Sequence, residues 1–381
     1  MINVTNKENC CGCGACVQGC PVQCIHMEAD QEGFLYPIVD QERCIQCGLC
    51  NKICPLINTK DLKCDVLKTK IAYAQDEELR RKSSSGAIFS LCATAILEQG
   101  GVIYGAAFDE DFRVHHMSVD TIEKLDLLRG SKYVQSDTEN TFSEVRQYLE
   151  QGKKVLFTGT ACQIAGLKSY LRKEWENLYT IDVLCHGVPS PALWKQYLKE
   201  KSEEYGAGVK NVSFRNKSIG WKQFAMHIEF LNETMYERVF TKDAFMTLFL
   251  GNISLRPSCY ACKFKKIPRM SDLTIGDCWG VENHTPDMDD NKGTSVAVIN
   301  SEKGERLMEY ISSKMVCCDV DLDRAVDPMA ESRRSVTKHL NRNKFFRKLE
   351  HGKSVEELLE TMHLSVFKRV CRKCRNLTKR I

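Results

Sequence analysis

Twice in its first 55 residues the chain writes the spacing C-x2-C-x2-C-x3-C-P. Cys10, Cys13, Cys16 and Cys20 precede Pro21, and Cys44, Cys47, Cys50 and Cys54 precede Pro55. A [4Fe-4S] cube takes four thiolates at tetrahedral corners. A loop of x2 spacings supplies three of them, and the fourth cysteine of each run ligates the other cube. One cluster is therefore expected on Cys10, Cys13, Cys16 and Cys54, and a second on Cys44, Cys47, Cys50 and Cys20. The first run opens with a doublet. Cys10 keeps the x2 spacing to Cys13, so Cys11 is expected to be a bystander. Structural zinc would instead pair two separated knuckles, without a third close cysteine or a trailing proline.

Between the runs, CIHMEAD and FLYPIVD flank Gln31-Glu32-Gly33, a hairpin signal. Leu49 to Ile53 reads as a short helical turn. These features predict a small two-cluster ferredoxin-like domain over residues 1–60. Twenty-one cysteines in 381 residues do not suit a disulfide framework, which belongs to small secreted chains. The start, MINVTNKENCC, has no basic segment followed by an apolar one. The apolar run at 87–97 falls short of the ~20 residues that span a bilayer. The expectation is a cytoplasmic protein with no membrane span.

Beyond the polar stretch LINTKDLKCD, strand-like and helix-like segments alternate. VIYGAAF, KVLFTG and LYTIDVLCHG read as strands, and EVRQYLEQG, CQIAGLKSYLRK and PALWKQYLKEKSEEYG as helices. This alternation predicts an α/β body. Residues 209–240 switch to period-two patterns and predict an antiparallel addition. The fold class expected is α/β (α+β), multidomain.

Cys162 and Cys185 fall at strand ends, Cys259 and Cys262 form a C-x2-C pair, and Cys278 lies in TIGDCWG. Spacing leaves two readings of the first four, a third four-thiolate site or buried cysteines acting as small apolar residues. For Cys92, Cys317 and Cys318 the second reading is taken. SSSG at 83–86, ahead of a helix, reads either as an N-cap or as hydroxyls and N–H groups for a pyrophosphate. In LRGSKYVQS, Lys132 is either a phosphate partner or a solvated loop lysine. No G-x-G-x-x-G follows a strand, which weighs against a nicotinamide cofactor.

From about residue 71 to 350 the chain resembles the coenzyme F420 hydrogenase/dehydrogenase beta-subunit family. The matching pieces are SSSGAIFSLCATAILEQGGVIYGAAFD, LRGSKYVQSD, VLFTGTACQIAGLKSYL, DVLCHGVPSPALW, RPSCYACKFK and SDLTIGDCWG. The resemblance implies FAD held by the α/β body. It also implies a third [4Fe-4S] cluster on Cys162, Cys185, Cys259 and Cys262. Cys278 stands where the family's GD-x-WG usually has an aromatic, and is a substitute ligand. The flavin contacts implied are Ser84, Ser85, Gly86, Ser131, Lys132, Tyr133, Gly159 and Thr160. The body divides into an N-terminal part, 71–155, and a C-terminal part with the third cluster, 156–330. A basic helical tail, 331–381, carries 15 Lys+Arg against 5 Asp+Glu. It reads as a solvated helical surface, without the aromatics or module of a nucleic-acid binder. Cys371 and Cys374 within it have no assigned role.

The function expected is an iron–sulfur flavoprotein oxidoreductase with no catalytic side chain, its chemistry centred on the flavin. It would pass electrons between an organic hydride donor or acceptor, F420 or a related substrate, and a ferredoxin or other one-electron protein partner. The alternatives are an electron-transfer subunit of a larger redox complex, or a ferredoxin-dependent reductase in bacterial cell-surface polysaccharide metabolism.

Overall fold

The computed structural model describes residues 1–59 and 66–363. Each cysteine run turns through a left-handed glycine into a helical turn. Gly14 (φ 73°) precedes α1, Ala15–Gln18, and Gly48 (φ 72°) precedes α2, Leu49–Lys52; a side chain at either position would be strained. Between them, β1 (Ile25–Ala29) and β2 (Leu35–Val39) form the expected antiparallel hairpin, with Ile25 opposite Val39. Asp30 ties its turn by accepting from the backbone N–H groups of Glu32 and Phe34, both at 3.0 Å. Ile2, Cys24, Ile25 and Cys50 close a small core beneath.

The larger part is built on an eight-stranded sheet. Along the chain come β3 (Lys68–Ala74), α3 (Glu77–Lys82), α4 (Ile88–Leu97), β4 (Val102–Phe108), β5 (Val114–Val119), α5 (Thr141–Glu150), β6 (Val155–Thr160), α6 (Ala161–Leu171), β7 (Leu178–Val183) and α7 (Pro191–Tyr205). An antiparallel insertion follows, β8 (Val209–Asn216), β9 (Ala225–Phe230) and β10 (Met235–Val239), and then α8 (Ala244–Leu250). The chain returns to the sheet with β11 (Leu273–Asp277), β12 (Ser295–Ile299), α9 (Glu302–Tyr310) and β13 (Met315–Asp319). It closes with α10 (Leu322–Ala325), α11 (Arg342–Glu350) and α12 (Val355–Leu359).

The order across the sheet is β13-β3-β12-β11-β7-β6-β4-β5. β4, β6, β7 and β11 are parallel neighbours, and β5, β12 and β13 pair antiparallel to theirs. Because β4 pairs with β6, the portions expected on either side of residue 155 share one sheet. Interior strands covered on both faces carry unbroken apolar runs, and SVAVI of β12 is buried at every position.

The insertion is a three-stranded sheet of its own. Phe214, Met226, Ile228 and Phe230 from it pack against Trp194 and Tyr197 of α7 and Phe245 of α8. Each aromatic or aliphatic side chain so buried contributes ~1.5–3 kcal/mol. Phe345, Phe346, Leu349 and Leu358 of the C-terminal helices join the same core. The basic tail is thus not wholly a solvated surface: its described helices turn an apolar side inward. Cys371 and Cys374 lie outside the described residues. Among the described residues no helix is long and apolar enough to cross a membrane.

The parallel strands β6, β7 and β11 end side by side at Thr160, Val183 and Asp277. Open α/β sheets hold their ligands beyond this carboxyl edge.

Candidate functional site

The N-terminal module is clasped onto that edge by two buried arginines. Arg256, 0% exposed, donates from Nε to the Cys10 carbonyl at 2.9 Å and from one terminal nitrogen to the Leu35 carbonyl at 2.9 Å. Its other terminal nitrogen reaches Gln135 Oε1 of the body at 2.7 Å, and the guanidinium lies over the Tyr36 ring, 4.3 Å from its centre. Arg342 pairs with Glu32 at the hairpin tip, with one N–H···O bond at 2.8 Å, and also donates to the Leu255 carbonyl. Glycines permit the close approach. A Cβ on Gly33 would stand 2.5 Å from the Ala192 backbone nitrogen, and one on Gly166 of α6 would stand 2.8 Å from Cys13 Cβ.

This docking decides which thiols meet. Cys11, Cys162, Cys185, Cys259 and Cys262 line one cavity of about 40 Å³ at the seam, with Arg256, Lys263, Lys265 and Arg269 around it. A hydrogen bond with Cys13, partly offset by one with Cys162, and burial push the Cys11 thiol well up. Cys162 is pushed up by its bond with Cys11 and by burial, and burial holds Cys185 at about 12. Cys20, Cys24, Cys44, Cys47 and Cys50 line a second cavity of about 20 Å³, where Cys20 and Cys24 sulfurs lie 3.5 Å apart. Cys16 is raised to about 12 by burial and by its neighbours Cys10, Cys54 and Cys50.

The expected cofactors are corrected by this arrangement. Among the described residues no group of three or more Cys, His, Asp or Glu side chains could hold a metal ion, so the donor sets do not fit two [4Fe-4S] clusters and a third. Cavities of this size have room for roughly one to three waters, far less than an iron–sulfur cube. Cys10 stays beside Cys16 with its thiol 3.6 Å from Arg256, while Cys11, expected to be a bystander, faces the seam cavity. Cys13 packs on α6 against Gly166. Cys278 is buried elsewhere, among Val281, Met288, Val296 and Val298, and does not substitute for a seam thiol.

The donors expected to contact FAD are engaged within the protein. Ser84 Oγ accepts from the Ser131 N–H (2.8 Å) and hydroxyl (3.0 Å). Ser85 donates to the Thr294 carbonyl, and the Gly86 N–H to Ser295 Oγ. The residue before α4 is Ala87, at φ 70° and without a side-chain cap, so SSSG is not an N-cap either; its serines knit neighbouring loops together. Lys132 donates to the carbonyls of Leu127 and Arg129. Its side chain is half-buried, its ammonium end is inside, and desolvation pulls it down to about 7. Tyr133 accepts from Arg215 at 3.4 Å. Gly159 and Thr160 end β6, where Thr160 opens α6 as a capping box with Gln163.

Sequence reasoning missed His116, which β5 places under this edge. Its Nε2–H donates to the Thr158 carbonyl at 3.0 Å, which leaves Nδ1 to accept from the Ser136 hydroxyl at 2.6 Å. Burial depresses its pKa from 6.5 to about 4. Between those values the unfolded chain binds a proton that the folded protein does not, so stability is lost as pH falls through that window. The loss is expected to be ~3 kcal/mol. Unfolding midpoints measured from pH 6.5 down to 4 should show this slope, and His116→Gln should flatten it; an unchanged slope in the variant would refute the assignment.

Comparison with known proteins agrees with this architecture. Residues 9–56 match the model of a 4Fe-4S dicluster domain, and residues 152–324 match that of the C terminus of the coenzyme F420 hydrogenase/dehydrogenase beta subunit. Together they define a ferredoxin-type, iron–sulfur class of electron-transfer oxidoreductase. Over residues 152–324 the chain carries the C-terminal domain of the coenzyme F420 hydrogenase/dehydrogenase beta-subunit family, and its N-terminal module is of the iron–sulfur ferredoxin-like type. Among solved structures, a chain of the xenon-derivatised F420-reducing [NiFe] hydrogenase complex from Methanosarcina barkeri is similar at 15% identity and a TM-score of 0.49. That similarity covers 78% of this chain and 90% of that one. No curated protein matches.

Proposed function

We propose that the protein exchanges a hydride with coenzyme F420 or a related organic donor or acceptor at the carboxyl edge of its α/β sheet. Single electrons pass to or from a protein partner at the ferredoxin-like module. One hydride carries two electrons, so each substrate turned over matches two one-electron events at the partner. The edge that would receive the substrate is bordered by Ser84, Ser85, Gly86, Ser131, Lys132, Tyr133, Gly159 and Thr160. The observation that carries the reading is the clasp: Arg256 and Arg342 fix the ferredoxin-like module to the body, so that Cys11 lines one cavity with Thr160, Cys162 and Cys185 past the ends of β6 and β7. Fixed orientation between an internal and an external redox port is what such a protein must supply. Exposed Met1 and Ile45, which border one cavity of the module, offer apolar contacts for the partner, a ferredoxin or other small one-electron protein.

The test is anaerobic turnover of the purified full chain, with a reduced one-electron dye as donor and oxidised F420 as acceptor. Bleaching of the deazaflavin at two dye equivalents per molecule is expected. If the dye exchanges electrons with the protein but no F420-type acceptor is reduced, the chain is an electron-transfer subunit and its substrate chemistry lies on another protein.

A further inference from the structure

Two stretches of the chain are basic without relief. Residues 256–271 hold five Lys and Arg and residues 332–349 hold seven, with no Asp or Glu in either, while the other residues hold 42 Lys and Arg against 50 Asp and Glu. The fold lays these stretches side by side in opposite directions. Arg342 donates to the Leu255 carbonyl at 3.2 Å, Ser335 Oγ to that of Cys262 at 3.3 Å, and Arg269 to that of Ser332 at 2.7 Å. The band they form borders the seam cavity, which Cys262 and Lys263 line. Arg333, Arg342 and Lys348 are paired, with Asp323, Glu32 and Glu360. Lys266, Arg334, Lys338 and Lys344 are exposed and meet no carboxylate among the described residues. Lys263, also exposed, donates to the Leu56 carbonyl at 3.1 Å.

The charge behind the band is uncompensated too. Arg256 is 0% exposed and Lys265 is 3% exposed, and both line the cavity. Arg256 donates to two carbonyls and an amide oxygen, and Lys265 to the carbonyls of His186 and Glu331. Neither pairs with a carboxylate among the described residues. Buried charges are screened far less than exposed ones, and a cleft of one sign with low-dielectric walls focuses its field at the mouth. An apolar contact stands beside that mouth: Ile57, 57% exposed, follows the residue whose carbonyl Lys263 holds. An apolar centre with a polar, charged rim is the anatomy of a protein interface. A membrane surface would call for apolar side chains free to insert, and Phe345, Phe346 and Leu349 of α11 are spent in the core.

We propose that this band is the docking surface for a small acidic one-electron protein, whose carboxylates meet Lys263, Lys266, Arg334 and Lys338 around the mouth of the seam cavity. This rests on the reading of the protein as an oxidoreductase with a one-electron protein partner, and names the surface that receives it. Charge complementarity of this kind acts mainly on the rate of encounter and on the choice of partner.

The test follows association of the full chain with a small acidic plant-type ferredoxin by stopped flow. The on-rate should fall steeply between about 0.01 and about 0.15 M salt, as the Debye length shrinks from ~30 to ~8 Å. The triple variant Lys266→Glu, Arg334→Glu, Lys338→Glu should lower the low-salt rate roughly ten- to a hundredfold and remove most of the salt dependence. All three side chains are exposed, so the parent unfolding midpoint is expected. A matched reversal, Lys153→Glu with Arg172→Glu and Lys173→Glu, falls on the loops that precede β6 and β7 at the opposite edge of the sheet, and should keep most of the parent rate. Equal rates in the parent and the first triple variant would overturn the docking surface, whether or not dye reduces F420. Salt-dependent docking that this variant loses, in a protein that reduces no F420, would leave the surface standing and overturn the functional reading. Anionic phospholipid vesicles or single-stranded DNA binding as tightly as the ferredoxin, with the same loss in the variant, would mark a general polyanion site and overturn the protein partner.

Discussion

An Arg256→Ala protein is expected to lose ~3–5 kcal/mol of stability and the fixed seat of its N-terminal module. The side chain is fully buried and three acceptors depend on it: the carbonyls of Cys10 and Leu35 and the amide oxygen of Gln135. Each acceptor left unsatisfied in the interior costs ~1–3 kcal/mol. The Tyr36 ring would also lose the cation that lies on it. Arg256→Lys should rescue little, because one ammonium on a flexible stem cannot reach three acceptors spread around a planar fork. Denaturant unfolding gives the stability, and limited proteolysis gives the release of an N-terminal fragment. Wild-type values for both would show that Arg256 is not the clasp. The clasp also means that the module is not an independent appendage: without it, Arg256 and Arg342 would both be buried beside empty acceptor positions.

The seam explains what could be read from the sequence and what could not. Elements set by local pattern were legible. The hairpin around Gln31-Glu32-Gly33, the helix after SSSG, the strand VIYGAAF and the successive βα units through KVLFTG and LYTIDV all stand where the residues place them. The switch to antiparallel pairing after residue 209 was legible too, because its period changes to two. The returning strands β11, β12 and β13 were not. They are five residues each, and only long-range pairing with β3 and β7 makes them part of the sheet.

The thiols show the same division more sharply. Considered within its own loop, the first run favours Cys10 over Cys11, because only Cys10 keeps the spacing to Cys13. In the folded chain an arginine 246 residues away takes the Cys10 carbonyl and lies 3.6 Å from its thiol. Cys11 is left facing Cys162, Cys185, Cys259 and Cys262. Nothing in CCGCGAC announces this, and RPSC around Arg256 gives no hint of its partner. Cys278 was misplaced for the opposite reason. The motif GDCWG offered it as a substitute ligand, but its side chain turns into the apolar core beneath β12. Likewise SSSG promised free hydroxyls, and the loops at 131 and 294 took them.

The second large effect is expected at the floor of the seam cavity. Asp182, near the end of β7, is fully buried, and Arg269 beside it is 1% exposed at its side chain. They meet at 2.9 Å, and Arg269 also donates to the carbonyls of Val183 and Ser332. The other carboxylate oxygen accepts from the hydroxyls of Ser271 and Thr274. Replacing Arg269 with methionine keeps most of the volume but leaves a buried carboxylate with only neutral partners. Breaking such a pair from one side costs ~3–5 kcal/mol. Replacing both members removes the stranded charge, so Arg269→Met with Asp182→Asn should be more stable than Arg269→Met alone. The coupling read from the four proteins should fall in the range of ~0.5–3 kcal/mol found for contacting residues. Unfolding free energies of the parent, the two single variants and the double variant measure it. Additive losses would mean that Asp182 is held by Ser271 and Thr274 without help from the arginine. Arg269 would then serve only as a basic wall of the thiol-lined cavity, and the stability of the β7 edge would be independent of the charge that faces the cysteines.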